Sequence, residues 1–339
     1  MSKMVKTSAL LVQARNIRKH YSALIVTSMI IGLTTGLITN APGLFIKTYS
    51  SLIIAIMIWA MSFAIRPRDI LGALKNVKSY SAGLALNFLL APVICWILAI
   101  LFLQELPEAA VGLMLVGVTP CAGMAMVWTG MLDGDLSIAL LINAGTMLLA
   151  PFLMPLLMYI MAGSLVIIDM ARMFQDLAFT VLIPVVLGIL SRWLADRRLP
   201  KKAGRASEYT VVFSAIAALM AMILMFMVMQ TSVQMILSNP ATVPPIIVSV
   251  ALVFPILFVL VWYGTAASFE RPVRVALTYS SGMKNLPLAL GVSITSFGGL
   301  APLPVAVGFV FQMVTAVIMY KWLSSRLSHT DGATSEAKA

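Results

Sequence analysis

Two short stretches hold most of the residues able to do chemistry away from water. One is Thr119-Pro120-Cys121-Ala122-Gly123. The other is Ser280-Ser281-Gly282-Met283-Lys284-Asn285-Leu286-Pro287. Both lie inside apolar segments. Every acidic residue falls in a loop or near a helix end: Asp133 and Asp135 form an Asp-Gly-Asp turn, and Asp176 lies in the first turns of its segment. Lys284 is therefore expected to be the only charge near the middle of the apolar layer. A charge there costs about 2.5–3.5 kcal/mol or more. Three roles fit it. It pairs with an anionic solute, it stands as a fixed cation where a Na⁺ would bind, or it releases its proton at one stage of a cycle. The structural alternative is a Lys that caps the carbonyls of a broken helix or snorkels to an interface.

Candidate hydrogen-bonding partners for a solute or ion are Asn285, Ser281, Ser280, Thr119, Asn143 and Thr146. Thr278, Thr129, Asn87 and Gln312 are further polar groups inside apolar segments. Cys121 sits at one break beside Pro120. A thiolate is a soft ligand suited to a thiophilic solute, although buried Cys also packs as a small apolar residue. The only histidines, His20 and His329, lie near the chain ends. That excludes a buried His-based metal site or catalytic triad, so neither an enzyme nor a resident metal or cofactor is expected.

The elements that must position these residues follow from composition. The 339 residues are 61% hydrophobic and 10% charged. Soluble chains carry about 25% charged residues, so lipid must be the solvent, and helices are the element that satisfies its own backbone there. Ten segments approach the ~20 apolar residues that a span needs: 22–39, 48–66, 79–103, 108–132, 136–162, 170–194, 209–230, 243–265, 272–297 and 302–323. Several carry interior prolines (Pro92, Pro151, Pro155, Pro184, Pro255), which neighbouring groups tolerate in a membrane.

Charge placement tests this reading. With the N-terminus in the cytoplasm, the cytoplasmic segments hold Lys3, Lys6, Arg15, Arg18, Lys19, Arg66, Arg68, Lys75 and Lys78. The central loop adds Arg192, Arg197, Arg198, Lys201, Lys202 and Arg205, and Arg271, Arg274, Lys321, Arg326 and Lys338 follow. That is twenty of the 23 cations. Lys47 and Arg172 fall outside, and Lys284 lies in the membrane. Such bias is the positive-inside rule. It accounts for the net charge of +11 without nucleic acid. The expected location is the plasma membrane, multi-pass, with both termini cytoplasmic.

Ten spans divide into two sets of five in opposite orientation: a cytoplasmic segment 1–21, a first repeat 22–162, a second repeat 163–325 and a disordered tail 326–339. In each half the fourth span is interrupted, at Pro120 and Gly123 in one and at Gly282 and Pro287 in the other. Proline removes a donor and clashes with the preceding turn, and glycine tolerates non-helical dihedrals. Paired interruptions at matching places point to a transport site at the midplane.

At these breaks the sequence resembles the bile acid:sodium symporter superfamily, over about residues 15–325. The resemblance implies ten helices in inverted repeats with broken helices 4 and 9 crossing, and a panel of spans 1, 2, 6 and 7 against which the rest rocks. Pro120-Cys121-Ala122-Gly123-Met124-Ala125-Met126-Val127-Trp128-Thr129 is similar to arsenite permeases of that group and places their functional Cys on Cys121. Gly282-Met283-Lys284-Asn285 is similar to the sodium-coupled organic-anion carriers, whose motif reads Gly-Met-Gln-Asn after a Glu. Ser280 and Lys284 replace that Glu and Gln. Carrier sodium ligands in span 4 align with Ala125 and Met126, and those of span 5 with Ala139 and Asn143. The usual two sodium sites are thus expected to be lost.

The expected activity is secondary transport of a small anionic organic solute, coupled to a cation or a proton (H⁺ or Na⁺). The alternative is arsenite or antimonite efflux through Cys121. A channel is a third reading. The expected partners are the lipid bilayer and the solute.

Overall fold

A computed structural model describes residues 11–17, 20–65, 76–163, 165, 174–175, 177–198 and 205–336. Arg15 apart, most of the expected N-terminal cations lie outside this set, as do Arg66, Arg68, Lys75, Arg172, Asp176, Lys201, Lys202 and Lys338.

The described residues are helical, with no strand beyond one isolated bridge. The helices are α1 (Tyr21–Gly36), α2 (Ala41–Thr48), α3 (Ser50–Ser62), α4 (Val77–Ala85), α5 (Ala91–Phe102), α6 (Pro107–Val118), α7 (Ala125–Met131), α8 (Leu136–Ala162), α9 (Ile183–Arg198), α10 (Arg205–Ser238), α11 (Val243–Gly264), α12 (Arg271–Gly282), α13 (Leu286–Val292) and α14 (Pro302–Glu336). Single π-turns occupy Leu86–Leu90, Ala178–Leu182 and Ser293–Phe297. Among the described residues, six continuous runs are long and apolar enough to cross a membrane. They are Val77–Phe102, Leu136–Ala162, Ala178–Arg197, Tyr209–Ser238, Pro240–Gly264 and Pro302–Ser325. The pair α2 and α3, bent by 64°, makes a seventh. Ala23–Gly36, Pro107–Val118 and Leu286–Phe297 are shorter apolar helices. A helix therefore stands in each of the ten apolar segments. Pro107–Val118 and Leu286–Phe297 are short because their segments are interrupted.

The helices sort into two bodies by what they pack against. One joins α1, α2, α3, α9 and α10. Close approach rests on small residues, as expected where lipid removes the hydrophobic drive between helices. Gly32 and Gly36 of α1 lie against the α10 backbone: a Cβ would come within 2.6 Å of Phe226 O and 2.7 Å of Gln230 O. Gly188 of α9 likewise faces Trp59 O of α3 at 2.6 Å. The second body packs α5 on α6, α11 on α5, α12 and α14, and α8 on α4, α6, α7 and α12. The substantial contacts between the bodies run from α13, the third π-turn and α14 to α1, α3 and α10, and from α8 to the π-turn Ala178–Leu182 that precedes α9. At this seam a Cβ on Gly291 would come 2.9 Å from Ile54. α7 and α12, by contrast, pack substantially only within their own body.

Three expectations change. First, α9 runs unbroken to Arg198, so Arg192, Arg197 and Arg198 are helical residues rather than part of a loop. Arg192 is buried. It pairs with Asp196 at 3.1 Å and donates to Thr210 Oγ1 at 2.6 Å. Local pairing at i,i+4 lets the helix carry a guanidinium inward, so a second cation besides Lys284 is buried. Second, the segment expected from 48 to 66 is preceded by a separate apolar helix, α2, joined to α3 through the bend before Ser50. Third, α14 continues to Glu336 and covers most of the stretch expected to be a disordered tail. Propagating an existing helix is cheap because its nucleus is already formed.

Candidate functional site

Both interruptions are present, and they meet. α6 ends at Val118, with Thr119 in an extended conformation, and α7 begins at Ala125. α12 ends at Gly282, with Met283 extended, and α13 begins at Leu286. The two unwound stretches pair antiparallel, Cys121 opposite Lys284. Asn285 N donates to Pro120 O and Ala122 N donates to Met283 O, each at 2.8 Å. Unwound backbone in lipid must find partners inside the protein, and each break supplies them to the other.

Side chains from neighbouring helices satisfy the remaining groups. Thr146 Oγ1 of α8 accepts from Cys121 N at 3.2 Å, and Asn143 Nδ2 donates to Cys121 O at 3.1 Å. Gln312 Oε1 of α14 accepts from Lys284 N at 2.8 Å. Asn285 caps α13, its Oδ1 accepting from Leu288 N at 3.2 Å. Pro287 occupies the first turn of α13, where no donor is needed. Thr119 turns back on its own helix, donating to Val116 O at 2.8 Å.

The Lys284 side chain is 0% exposed. Its ammonium donates to the main-chain O and to Oδ1 of Asn87, at 3.2 and 3.1 Å. Both acceptors are neutral, and Lys284 forms no ion pair among the described residues. Ser281 Oγ lies 3.5 Å from Asn87 Nδ2. The buried Cys121 thiol donates to Ala122 O at 3.4 Å, and the Asn143 and Ser280 side chains and Lys284 lie near it. The hydroxyls of Ser280 and Thr278 are buried with no hydrogen bond of ordinary geometry. Gly123 faces open space: a Cβ there would meet nothing within 4 Å.

Lys284, Asn285, Ser281, Ser280, Cys121, Asn143 and Thr146 are thus brought together, while the Thr119 hydroxyl is used locally. Asn87 and Gln312 hold the Lys284 amine and amide, yet sequence reasoning ranked them only as polar neighbours. Their separations from Lys284, 197 and 28 residues, leave no local signal. No group of three or more His, Cys, Asp or Glu side chains suited to a metal occurs among the described residues.

A family model described as the sodium bile acid symporter family matches residues 51–239, more than half of the chain. Among curated proteins, the chain is 24% identical over 278 residues to the protein YbaS of Bacillus subtilis, covering 78% of this chain and 85% of that one. It is 26% identical over 263 residues to sodium/bile acid cotransporter 4 of Mus musculus, covering 72% of this chain but 57% of the relative, so it spans little more than half of that protein. It is 24% identical over 302 residues to arsenical-resistance protein Acr3 of Alkaliphilus metalliredigens, covering 82% and 83%.

Proposed function

The chain belongs to the sodium bile acid symporter family, and we propose that it is a secondary transporter of a small anionic organic solute. The observation that carries this reading is the Lys284 ammonium, buried at the crossing of two broken helices with only neutral oxygens around it. A buried charge is tolerated when it is paired, and an anionic solute is the partner that the site lacks. Asn285, Ser281, Ser280 and Asn143 supply hydrogen-bonding groups around it.

On this reading the chain has ten spans in two inverted five-helix repeats, 22–162 and 163–325, in the plasma membrane with both termini cytoplasmic. The body of α1, α2, α3, α9 and α10 is the panel against which the other body rocks. Its seam at Gly291 and Ile54 closes the outer side, and the open face at Gly123 looks to the cytoplasm. Ala125, Met126 and Ala139 offer no side-chain oxygen for sodium. Coupling then uses a proton or one cation rather than two sodium ions.

The test is uptake of taurocholate and smaller organic anions into vesicles, with the pH and Na⁺ gradients imposed separately. Lys284→Ala is expected to abolish uptake. Wild-type uptake and gradient dependence in that variant would refute the reading.

A second reading has its own support. Cys121 stands at the break beside Asn143 and Ser280, and one relative is an arsenical-resistance protein. Arsenite or antimonite efflux through Cys121 predicts that a host carrying Cys121→Ala loses metalloid resistance. Unchanged resistance eliminates it.

A further inference from the structure

One end of the second body gathers cations and aromatic rings that the crossing of the broken helices does not use. The Arg274 guanidinium of α12 lies over the Trp262 ring of α11, 4.1 Å from its centre, and Nη2 donates to Trp262 O at 2.9 Å. Arg271 stands one turn earlier on α12, close enough for the two like charges to act on each other. Trp262 meets Trp322 of α14 edge to face at 6.1 Å, and Tyr263 lies 6.3 Å from the same ring. Lys321, exposed, precedes Trp322 in the chain. The turn between α11 and α12 is tied down from α4, where Lys78 Nζ donates to Ser268 O at 3.0 Å and lies over the Phe269 ring.

Charge here is unbalanced. Arg271, Arg274 and Lys321 form no ion pair among the described residues. Glu270 is exposed and makes no capping bond. Asp135, whose amide donates to Pro272 O, spends Oδ1 on the first amides of α8. Arg274 Nε is closed off from solvent with no acceptor, which is costly for a buried donor. A guanidinium offers five N–H groups in a flat fork that matches phosphate oxygens. Trp and Tyr collect at the level of lipid headgroups. Just before the turn, Val259, Leu260 and Tyr263 leave large apolar surfaces uncovered.

We propose that this end of α11 and α12, with Lys321 of α14, binds the phosphodiester headgroup of an anionic phospholipid. The phosphate sits between Arg271 and Arg274 and gives Nε its acceptor. Trp262, Tyr263 and Trp322 seat the glycerol border, and the acyl chains follow Leu260 and Val259. The occupant is a lipid rather than free phosphate because the cations run directly into uncovered apolar surface. α12 ends at the break, at Gly282, so a lipid that fixes its start also steadies the helix that carries Ser280 and Ser281. On the proposed orientation the lipid comes from the cytoplasmic leaflet, whose anionic headgroups attract basic segments.

The experiment follows the melting temperature of full-length purified protein in detergent micelles. Phosphatidylglycerol at about 20 mol% is expected to raise it by about 3 °C or more over phosphatidylcholine with the same chains. In Arg271→Gln/Arg274→Gln that difference should fall below about 1 °C. Arg197→Gln/Arg198→Gln removes the same charge from α9 and should keep the full difference. No lipid-specific shift in the wild type, a shift that survives Arg271→Gln/Arg274→Gln, or an equal loss in the α9 variant overturns the proposal. So does an equal shift from about 10 mM inorganic phosphate without lipid. If Arg271→Gln/Arg274→Gln does not fold, Arg271→Gln/Lys321→Gln decides, since it spares the bond from Arg274 to Trp262. There the difference should fall by half or more, and an unchanged difference overturns the proposal. Uptake is not measured at any step, so the outcome stands apart from the anionic-solute reading.

Discussion

The amide of Asn285 donates to the carbonyl of Pro120 at 2.8 Å, across two helix breaks that lie 165 residues apart in sequence. With the reciprocal bond from Ala122 to Met283, it makes one two-stranded bridge out of two interruptions. Neither break is stable alone, because each leaves donors and acceptors that lipid cannot satisfy.

Removing one donor should therefore undo both. Ala122→Pro deletes the N–H that reaches Met283 O, leaving a buried carbonyl unpaired at a cost of about 1–3 kcal/mol. Melting temperature and uptake are expected to fall together. Ala122→Ser keeps the donor and should behave like the wild type in both measurements.

Two glycines at the breaks should respond in opposite ways. A Cβ on Gly282 would come 2.6 Å from the Phe258 ring, so Gly282→Ala overpacks the core by about 1–3 kcal/mol. Gly123→Ala has open space around it and should stay within about 0.5 kcal/mol of the wild type. Thermal unfolding compares them. Gly123→Cys should also be labelled by a membrane-impermeant thiol reagent applied from the cytoplasmic side, whereas the native Cys95 and Cys121, both buried, should not.

Asp135 sets the start of the helix that carries Asn143 and Thr146. Its Oδ1 accepts from Ser137 N at 2.9 Å and Ile138 N at 3.1 Å. Asp135→Ala should cost about 1 kcal/mol, while Asp135→Asn, which can cap the same amides, should retain most of it. Chemical denaturation of the purified protein measures the difference.

Arg192 and Asp196 form an ion pair on α9, with side-chain exposures of 2% and 39%. Because the carboxylate is partly in solvent, Asp196→Ala is expected to cost about 1 kcal/mol rather than the full penalty of a buried pair. Arg192 keeps its bond to Thr210. The loss should appear as a lower melting temperature with uptake retained.

Hydropathy and proline placement made most of this architecture readable. Each of the ten apolar stretches holds a helix, and both interruptions fall where Pro120 and Gly282 place them. What escaped was geometry that no local pattern encodes. The π-turn at Asn87 has no sequence signature beyond a polar residue in an apolar run. The partnership of Lys284 with Asn87 joins distant segments and exists only after the bundle assembles. Gly32 and Gly36 stand four apart, a spacing that marks helix association in membranes, yet that they face α10 is visible only in the packing. Charge normally belongs in water, and on that ground alone the sequence places Arg192 in a loop. Its i,i+4 partner Asp196 was visible in the sequence and was the clue.

Lys284 has one more consequence, electrical in kind. A dissolved ion that accompanies a solute crosses the bilayer and stays on the far side. A charge covalently attached to the chain goes back when the empty carrier resets. Moving one elementary charge through the full field is worth about 2.3 kcal/mol per 100 mV, and over a complete turnover this tethered amine draws none of it. On the proposed mechanism, steady current through a membrane holding this protein would count only the mobile species.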